Sequence, residues 1–149
     1  MNIKHWTLNT IADNEIEIIE DFELFSDWED KYEYIISLGK ELPLIKDEYK
    51  TEDYLVRGCQ SRVWLHAEKK GENIVFTADS DAIITKGIIA LLVRVLSNQP
   101  AAEVAKSDLD FINKIGLKDH LSPNRSNGLV SMVQKMKTYA LAFSSGVQS

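Results

Sequence analysis

The stretch "AIITKGIIALLVRVL", from Ala82 to Leu96, limits the fold more than any other part of the chain. It is the most hydrophobic segment, interrupted by Lys86, Gly87 and Arg94. A bilayer-spanning helix takes about 20 apolar residues, so this segment is too short to cross and reads as a buried helix. Just before it, "DSDA" puts Asp79 and Ser80 where N-caps belong, with Asp79 and Asp81 also placed to favour the helix dipole. Lys86 and Gly87, inside the segment, read as close packing plus a solvated or paired charge.

The elements that can cover such a helix lie on both sides of it. "RVWLHAE" and "NIVFTAD" read as strands, because Val63, Leu65 and Ala67, and likewise Ile74, Phe76 and Ala78, alternate with other residue types. "KKGE" between them is a hairpin loop. Upstream, Ile16, Ile19 and Phe22 recur at helical spacing between Asp13 and Phe25. "SDWE" then forms a capping box of Ser26 and Glu29. The helix it opens carries Trp28, Tyr32, Ile35 and Ile36 and ends near Gly39, where a left-handed residue costs little, shortly before Pro43. "LPLIKDEYKTED" is an irregular connection. Downstream, short helical pieces fall at "AAEVAK" and "DLDFINKIG", and from Asn127 onward Leu129, Met132, Val133, Met136, Tyr139, Ala140 and Phe143 make an amphipathic stripe. Helices, a few strands, then more helices predict an α+β fold with helices packed on one face of an antiparallel sheet. At 149 residues the chain, 1–149, reads as a single domain; no internal repeat is visible.

The net charge of −6, from 17 basic and 23 acidic side chains, argues against a nucleic-acid partner, which calls for a basic face. The acidity gathers in "DNEIEIIEDFELFSDWEDKYE", a solvated face first and a steering surface for a basic partner second. The start, "MNIKHWTLNT", lacks the apolar core of a signal peptide, and one cysteine cannot close an intramolecular disulfide. A reducing, cytoplasmic setting without a membrane follows as the expectation.

That cysteine is Cys59, in "VRGCQSRVW". Free cysteines are commonly buried and behave as small hydrophobes. Here Gly58, Gln60 and Ser61 are turn residues, so the thiol is expected on a loop leading into a strand. Arg57 and Arg62 bring positive charge that favours the thiolate if either points at the sulfur. A cysteine hydrolase needs a histidine base and a group to orient it; the chain has His5, His66 and His120, each read first as structural. A thioredoxin-like motif needs a second cysteine where Arg62 stands. Zinc and iron–sulfur sites need three or four soft ligands. Chemistry within reach of one sulfur remains: attack on another protein's sulfur, with Cys59 carrying the product.

"GCQSRVW" (Gly58–Trp64), "DSDAIITKGIIALL" (Asp79–Leu92) and "HLSPNRSNGL" (His120–Leu129) resemble the three signature segments of the SufE family, and "DWEDKYEYIISLGKELP" (Asp27–Pro43) is similar to that family's second helix. The resemblance runs from about Phe22 to Tyr139 without departures at the motif positions. It implies an α+β fold shared with IscU scaffolds and an accessory role rather than an enzyme's. It further implies that a pyridoxal-phosphate-dependent cysteine desulfurase, SufS- or CsdA-like, passes persulfide sulfur to this chain, which would stimulate it and hand the sulfur to a SufBCD-like iron–sulfur assembly scaffold. By that resemblance Cys59 is the persulfide acceptor and the chain needs no cofactor of its own, the pyridoxal phosphate being the partner's.

Charge on the reacting sulfurs calls for cationic or hydrogen-bonding neighbours. Arg125 matches an arginine of the family motif and stands beside Arg57 and Gln60 as a candidate; the plainer readings are a helix-start arginine bracing the Pro123 loop and a turn-forming glutamine. Competing functions are an iron–sulfur scaffold, a cysteine hydrolase or redox sensor, and an allosteric activator of the desulfurase in which Cys59 is incidental. Monomer and homodimer both remain open. Partial shelter of Cys59 is expected, since an exposed persulfide would be lost to small thiols.

Overall fold

The structure, a computed structural model, describes residues 9–145; His5 and the stretch read against a signal peptide lie outside those residues, apart from that stretch's last two positions. In chain order the elements are helices α1 (Ile11–Glu23) and α2 (Trp28–Lys40), 3₁₀ turns at Asp47–Tyr49 and Glu52–Tyr54, strands β1 (Val63–Lys70) and β2 (Asn73–Ser80), helix α3 (Ile83–Leu96), the short strand β3 (Gln99–Pro100), helices α4 (Ala101–Lys106) and α5 (Phe111–Lys114), a 3₁₀ turn at Lys118–His120, and helix α6 (Pro123–Ser144).

The apolar segment is α3, and most of it is buried from Thr85 onward. Its approach to α2 is backbone to backbone. A Cβ on Gly87 would lie 2.3 Å from the Ile35 carbonyl oxygen, and one on Gly39 would lie 3.0 Å from the Gly87 nitrogen. Gly39 is therefore inside α2 rather than at a left-handed stop: the helix runs on to Lys40 and closes at Glu41, φ −100°. The polar interruption Arg94 meets Glu17 at 3.2 Å and Asp21 at 3.6 Å on α1, and donates to the Tyr34 hydroxyl at 3.1 Å on α2. One guanidinium thus ties three helices together.

β1, β2 and β3 form an antiparallel sheet in that order. Leu65 pairs with Ala78 and Ala67 with Phe76, so the alternating residues of both strands share one face, buried beneath the helices. The hairpin closes through two residues, with Gly71 at φ +63° in the first central position, as a type II′ turn requires. The irregular connection lies along both edges of this hairpin. Ile45 donates to the Ala78 carbonyl at 3.1 Å on one edge, and Val56 to the Val63 carbonyl at 2.8 Å on the other. Between these points it folds over the outer face, where Tyr49 stacks on His66 at 4.0 Å and Lys50 sits 5.6 Å from the Trp64 ring centre. Trp64 is half-buried on that outer face rather than part of the core.

Four helix starts differ from the sequence expectation; α3 is preceded by Ala82 as its N-cap, with no side-chain cap from Asp79 or Ser80. α1 opens at Thr10, in a capping box with Asp13, and it buries Asn14, Ile18 and Phe22 while Ile16 is 53% exposed. α2 is capped by Asp27, which accepts from the Asp30 amide at 2.9 Å, not by Ser26. α6 begins at Pro123, not Asn127, because Ser122 caps it by accepting from the Arg125 amide at 3.3 Å; proline at the first helical position gives up an amide that has no partner there anyway. The expected stripe of α6 is otherwise observed, with Leu129, Met132, Met136, Ala140 and Phe143 buried.

Candidate functional site

Cys59 lies on the loop that leads into β1, where the loop crosses the first turns of α6. Gly58 has φ +95°, and a Cβ there would fall 2.4 Å from the Ser131 hydroxyl oxygen. Only glycine meets both demands. One residue on, the Cys59 Sγ lies 3.6 Å from the Gly128 carbonyl oxygen, to which it donates. A Cβ on Gly128 would come within 3.2 Å of the sulfur, so the absence of a side chain lets the thiol sit against the helix. Cys59 is half-buried there, as the need for shelter predicts.

The thiol opens on a cleft of about 320 Å³ lined by Gln60, Thr85, Ile88, Arg125 and Met132 among others. Arg125 joins no ion pair among the described residues, so its charge is available to an anion in the cleft. Gln60 is held by Asn124, which donates to its side-chain carbonyl at 3.0 Å. Burial pushes the Cys59 thiol above its ordinary range, and the Gly128 carbonyl, an acceptor, also favours S–H over S⁻. Both effects favour the thiol over the thiolate in the resting arrangement.

The arginines that flank Cys59 in sequence do not line its cleft. Arg57 lines a separate cleft with Ser131 and Lys135. Arg62 does not line the cysteine cleft; its main chain is tied to the end of β2, the amide donating to Asp81 at 3.1 Å and the carbonyl accepting from the Ser80 hydroxyl at 2.8 Å. The structure brings Cys59, Gln60 and Arg125 together and sets Arg57 apart. Sequence reading missed Asn124, Thr85, Ile88 and Met132. Asn124 stands inside the "HLSPNRSNGL" segment, but only the loop crossing of α6 brings it to Gln60.

Among the described residues no histidine base attends the sulfur. His66 is stacked under Tyr49, and burial lowers its pKa. His120 is stacked on Trp28 at 3.9 Å with its Nδ1 3.1 Å from the Gly116 carbonyl oxygen. Neither lines the cleft. Among the described residues no group of three His, Cys, Asp or Glu side chains could hold a metal, and no helix is long and apolar enough to cross a membrane. Asp79 is no helix cap. It is the next-to-last residue of β2, buried, meeting Lys50 at 2.6 Å and Lys86 at 3.4 Å. Burial works to raise its pKa, but those ammonium groups and the Ser80 amide outweigh it and hold the carboxyl below its ordinary range.

The profile of the SufE family, described as an Fe-S metabolism associated domain, matches residues 16–140. The chain belongs to the SufE family. A SufE-like protein of Rhizobium etli is 44% identical over 129 residues, covering 83% of this chain and 87% of its own length. One from Rhizobium meliloti is 42% identical, covering 83% and 92%. SufE-like protein 1 of Arabidopsis thaliana, chloroplastic/mitochondrial, is 40% identical over 84% of this chain but only 34% of its own length. The solution structure of a hypothetical protein from Thermus thermophilus superposes with a TM-score of 0.72 over 86% of this chain and 93% of the other, at 18% identity. That likeness bears out the α+β expectation for the fold, and the family places the chain in iron–sulfur metabolism.

Proposed function

We propose that the chain accepts sulfur from a pyridoxal-phosphate-dependent cysteine desulfurase, stimulates that enzyme, and passes the sulfur to iron–sulfur cluster assembly in the cytoplasm. Cys59 is the persulfide carrier. The pyridoxal phosphate belongs to the desulfurase, and the chain works as an accessory protein without a cofactor of its own. The observation that supports this reading is the company Cys59 keeps: a lone half-buried thiol at a cleft lined by a cation and amides, with no histidine among the described residues that line it. Such a site can hold a sulfur anion but lacks the base that hydrolysis needs.

The transfer conserves atoms and electrons. Cys59 gives up its proton and its thiolate attacks the outer sulfur of the donor's Cys–S–SH. The donor's S–S bond breaks, the donor cysteine leaves as a thiolate and takes up a proton, and a new S–S bond joins the outer sulfur to Cys59. Because burial and the Gly128 carbonyl favour the thiol over the thiolate, releasing the sulfur from the helix favours the reactive form. Docking of the donor supplies that release. Arg125 then faces the anion, and Gln60 and Ser61 offer hydrogen bonds.

Intact-mass measurement after incubation with a desulfurase, pyridoxal phosphate and free cysteine tests the reading. A gain of about one sulfur atom on the wild type, reversed by reductant and absent from Cys59→Ser, is expected. If both proteins raise desulfurase turnover equally and neither gains sulfur, Cys59 is incidental and the chain is an allosteric activator.

A further inference from the structure

The cysteine loop crosses α6 at Gly128 and Ser131, and this crossing separates two clefts. One is the cysteine cleft with Arg125. The other, of about 220 Å³, is lined by Val56, Arg57, Ser131, Gln134, Lys135 and Thr138. Arg57 is exposed, and Lys135 lies with its ammonium 5.4 Å from the Tyr139 ring centre. Neither takes part in an ion pair among the described residues. In a chain of net charge −6, cations without carboxylates thus stand on both sides of the loop that carries the sulfur.

From this geometry we infer that the Arg57–Lys135 cleft is a docking site for an acidic segment of the sulfur donor, lying beside the donor's persulfide-bearing cysteine. The inference rests on the proposed function. A protein that delivers sulfur to a half-buried thiol on this loop must cover the loop's immediate surroundings. Covering Arg57 and Lys135 strips water from two charges, which is unfavourable unless the partner brings opposite charge. A carboxylate in the cleft supplies that charge, and the Ser131 hydroxyl and Gln134 amide can complete its hydrogen bonding. Arg57 therefore acts through affinity and orientation rather than on the sulfur, a different task from that of Arg125.

The test uses the desulfurase that persulfidates the wild type and compares Arg57→Glu/Lys135→Glu with Lys69→Glu/Lys70→Glu. The latter makes the same change of charge at the turn end of the hairpin, away from the loop. Persulfide gain and desulfurase stimulation are followed against concentration of this chain. Expected is an apparent KM at least about tenfold higher for the cleft pair, with kcat within about twofold, since charge reversal at an interface rim acts on association. The salt dependence of KM should flatten. The hairpin-end pair should match the wild type, and iodoacetamide should label Cys59 equally fast in all three proteins. Unchanged KM in the cleft pair, or an equal rise in the hairpin-end pair, overturns the docking site while the sulfur-acceptor reading stands. Should no desulfurase load or be stimulated by the wild type, both fall together.

Discussion

Gly58→Ala tests whether backbone geometry is what keeps the thiol sheltered. Alanine at φ +95° is outside its comfortable regions and costs about 1–3 kcal/mol. The added methyl also falls 2.4 Å from the Ser131 hydroxyl oxygen, which can swing aside only by changing rotamer. Both penalties belong to the closed loop, because a loop lifted off α6 can choose another φ. Opening therefore becomes more favourable by about 1–3 kcal/mol, a factor of about 5–150 in population. Iodoacetamide reacts with the open form, so pseudo-first-order labelling of Cys59 should accelerate within that range while global unfolding midpoints fall by no more than about 10 °C. Adding Ser131→Ala removes the hydroxyl but leaves that residue's Cβ 3.3 Å from the new methyl, so the double variant should retain most of the acceleration. Labelling at the wild-type rate in Gly58→Ala would refute the reasoning, because the closed loop would then carry no penalty that opening relieves.

Other sites yield further expectations. Gly87→Ala forces a methyl to within 2.3 Å of the Ile35 carbonyl oxygen, and since helix propensity returns at most about 1 kcal/mol against an overpacking cost toward the upper end of about 1–3 kcal/mol, urea denaturation should show a net loss of about 2 kcal/mol. Labelling of wild-type Cys59 followed against pH should have its midpoint above that of a free cysteine, because burial raises the thiol; a midpoint below it would place a cation closer than the structure does. Asp79, with a depressed folded pKa, contributes stability that is present above its unfolded pKa and lost as pH falls through the folded one. Asp79→Asn should therefore be less stable by about 1 kcal/mol at pH 7, allowing for the partial exposure of both lysines, and the difference in denaturation curves should shrink only as pH falls below the ordinary carboxylate range and through the depressed folded pKa. Arg125→Ala should slow persulfide formation on Cys59 by about tenfold or more in rapid-quench mass measurements with little change in KM; a pure KM effect would make it a docking residue instead.

Much of the fold is written in local periodicity, and where it is not the reason is physical. The alternation in β1 and β2 and the stripe of α6 are set by burial on one side, which leaves a residue-by-residue trace. Helix starts are set by which side chain reaches which amide, and neighbours compete: Ser26 and Asp27 both qualify as caps, and only the chain's path selects Asp27. Gly39 reads as a helix stop because glycine tolerates left-handed backbone, but its lack of a side chain serves contact with Gly87, a residue 48 positions away in sequence. Such long-range pairing leaves no signature in either segment alone. Asp79 likewise reads locally as a cap, whereas its partners Lys50 and Lys86 come from different elements.

The same distinction governs the site. Cys59 stands out because one thiol between turn residues is a local fact, and its shelter is what the proposed persulfide role calls for. Which cation attends it is not local. Arg57 and Arg62 flank it within three positions, yet one turns into a neighbouring cleft and the other does not line the cysteine's cleft at all, while Arg125, 66 residues on, does. The cause is the loop's crossing of α6: Gly58 and Gly128 press the sulfur onto the helix, so the helix supplies its surroundings. The carrier role proposed above benefits from that arrangement. A thiolate permanently held by adjacent arginines would be ready for any electrophile, whereas a sulfur biased toward the thiol by a carbonyl, with its cation across a cleft, becomes reactive when a partner lifts the loop. On the proposed function, coupling reactivity to docking in this way confines sulfur exchange to the protein that opens the loop.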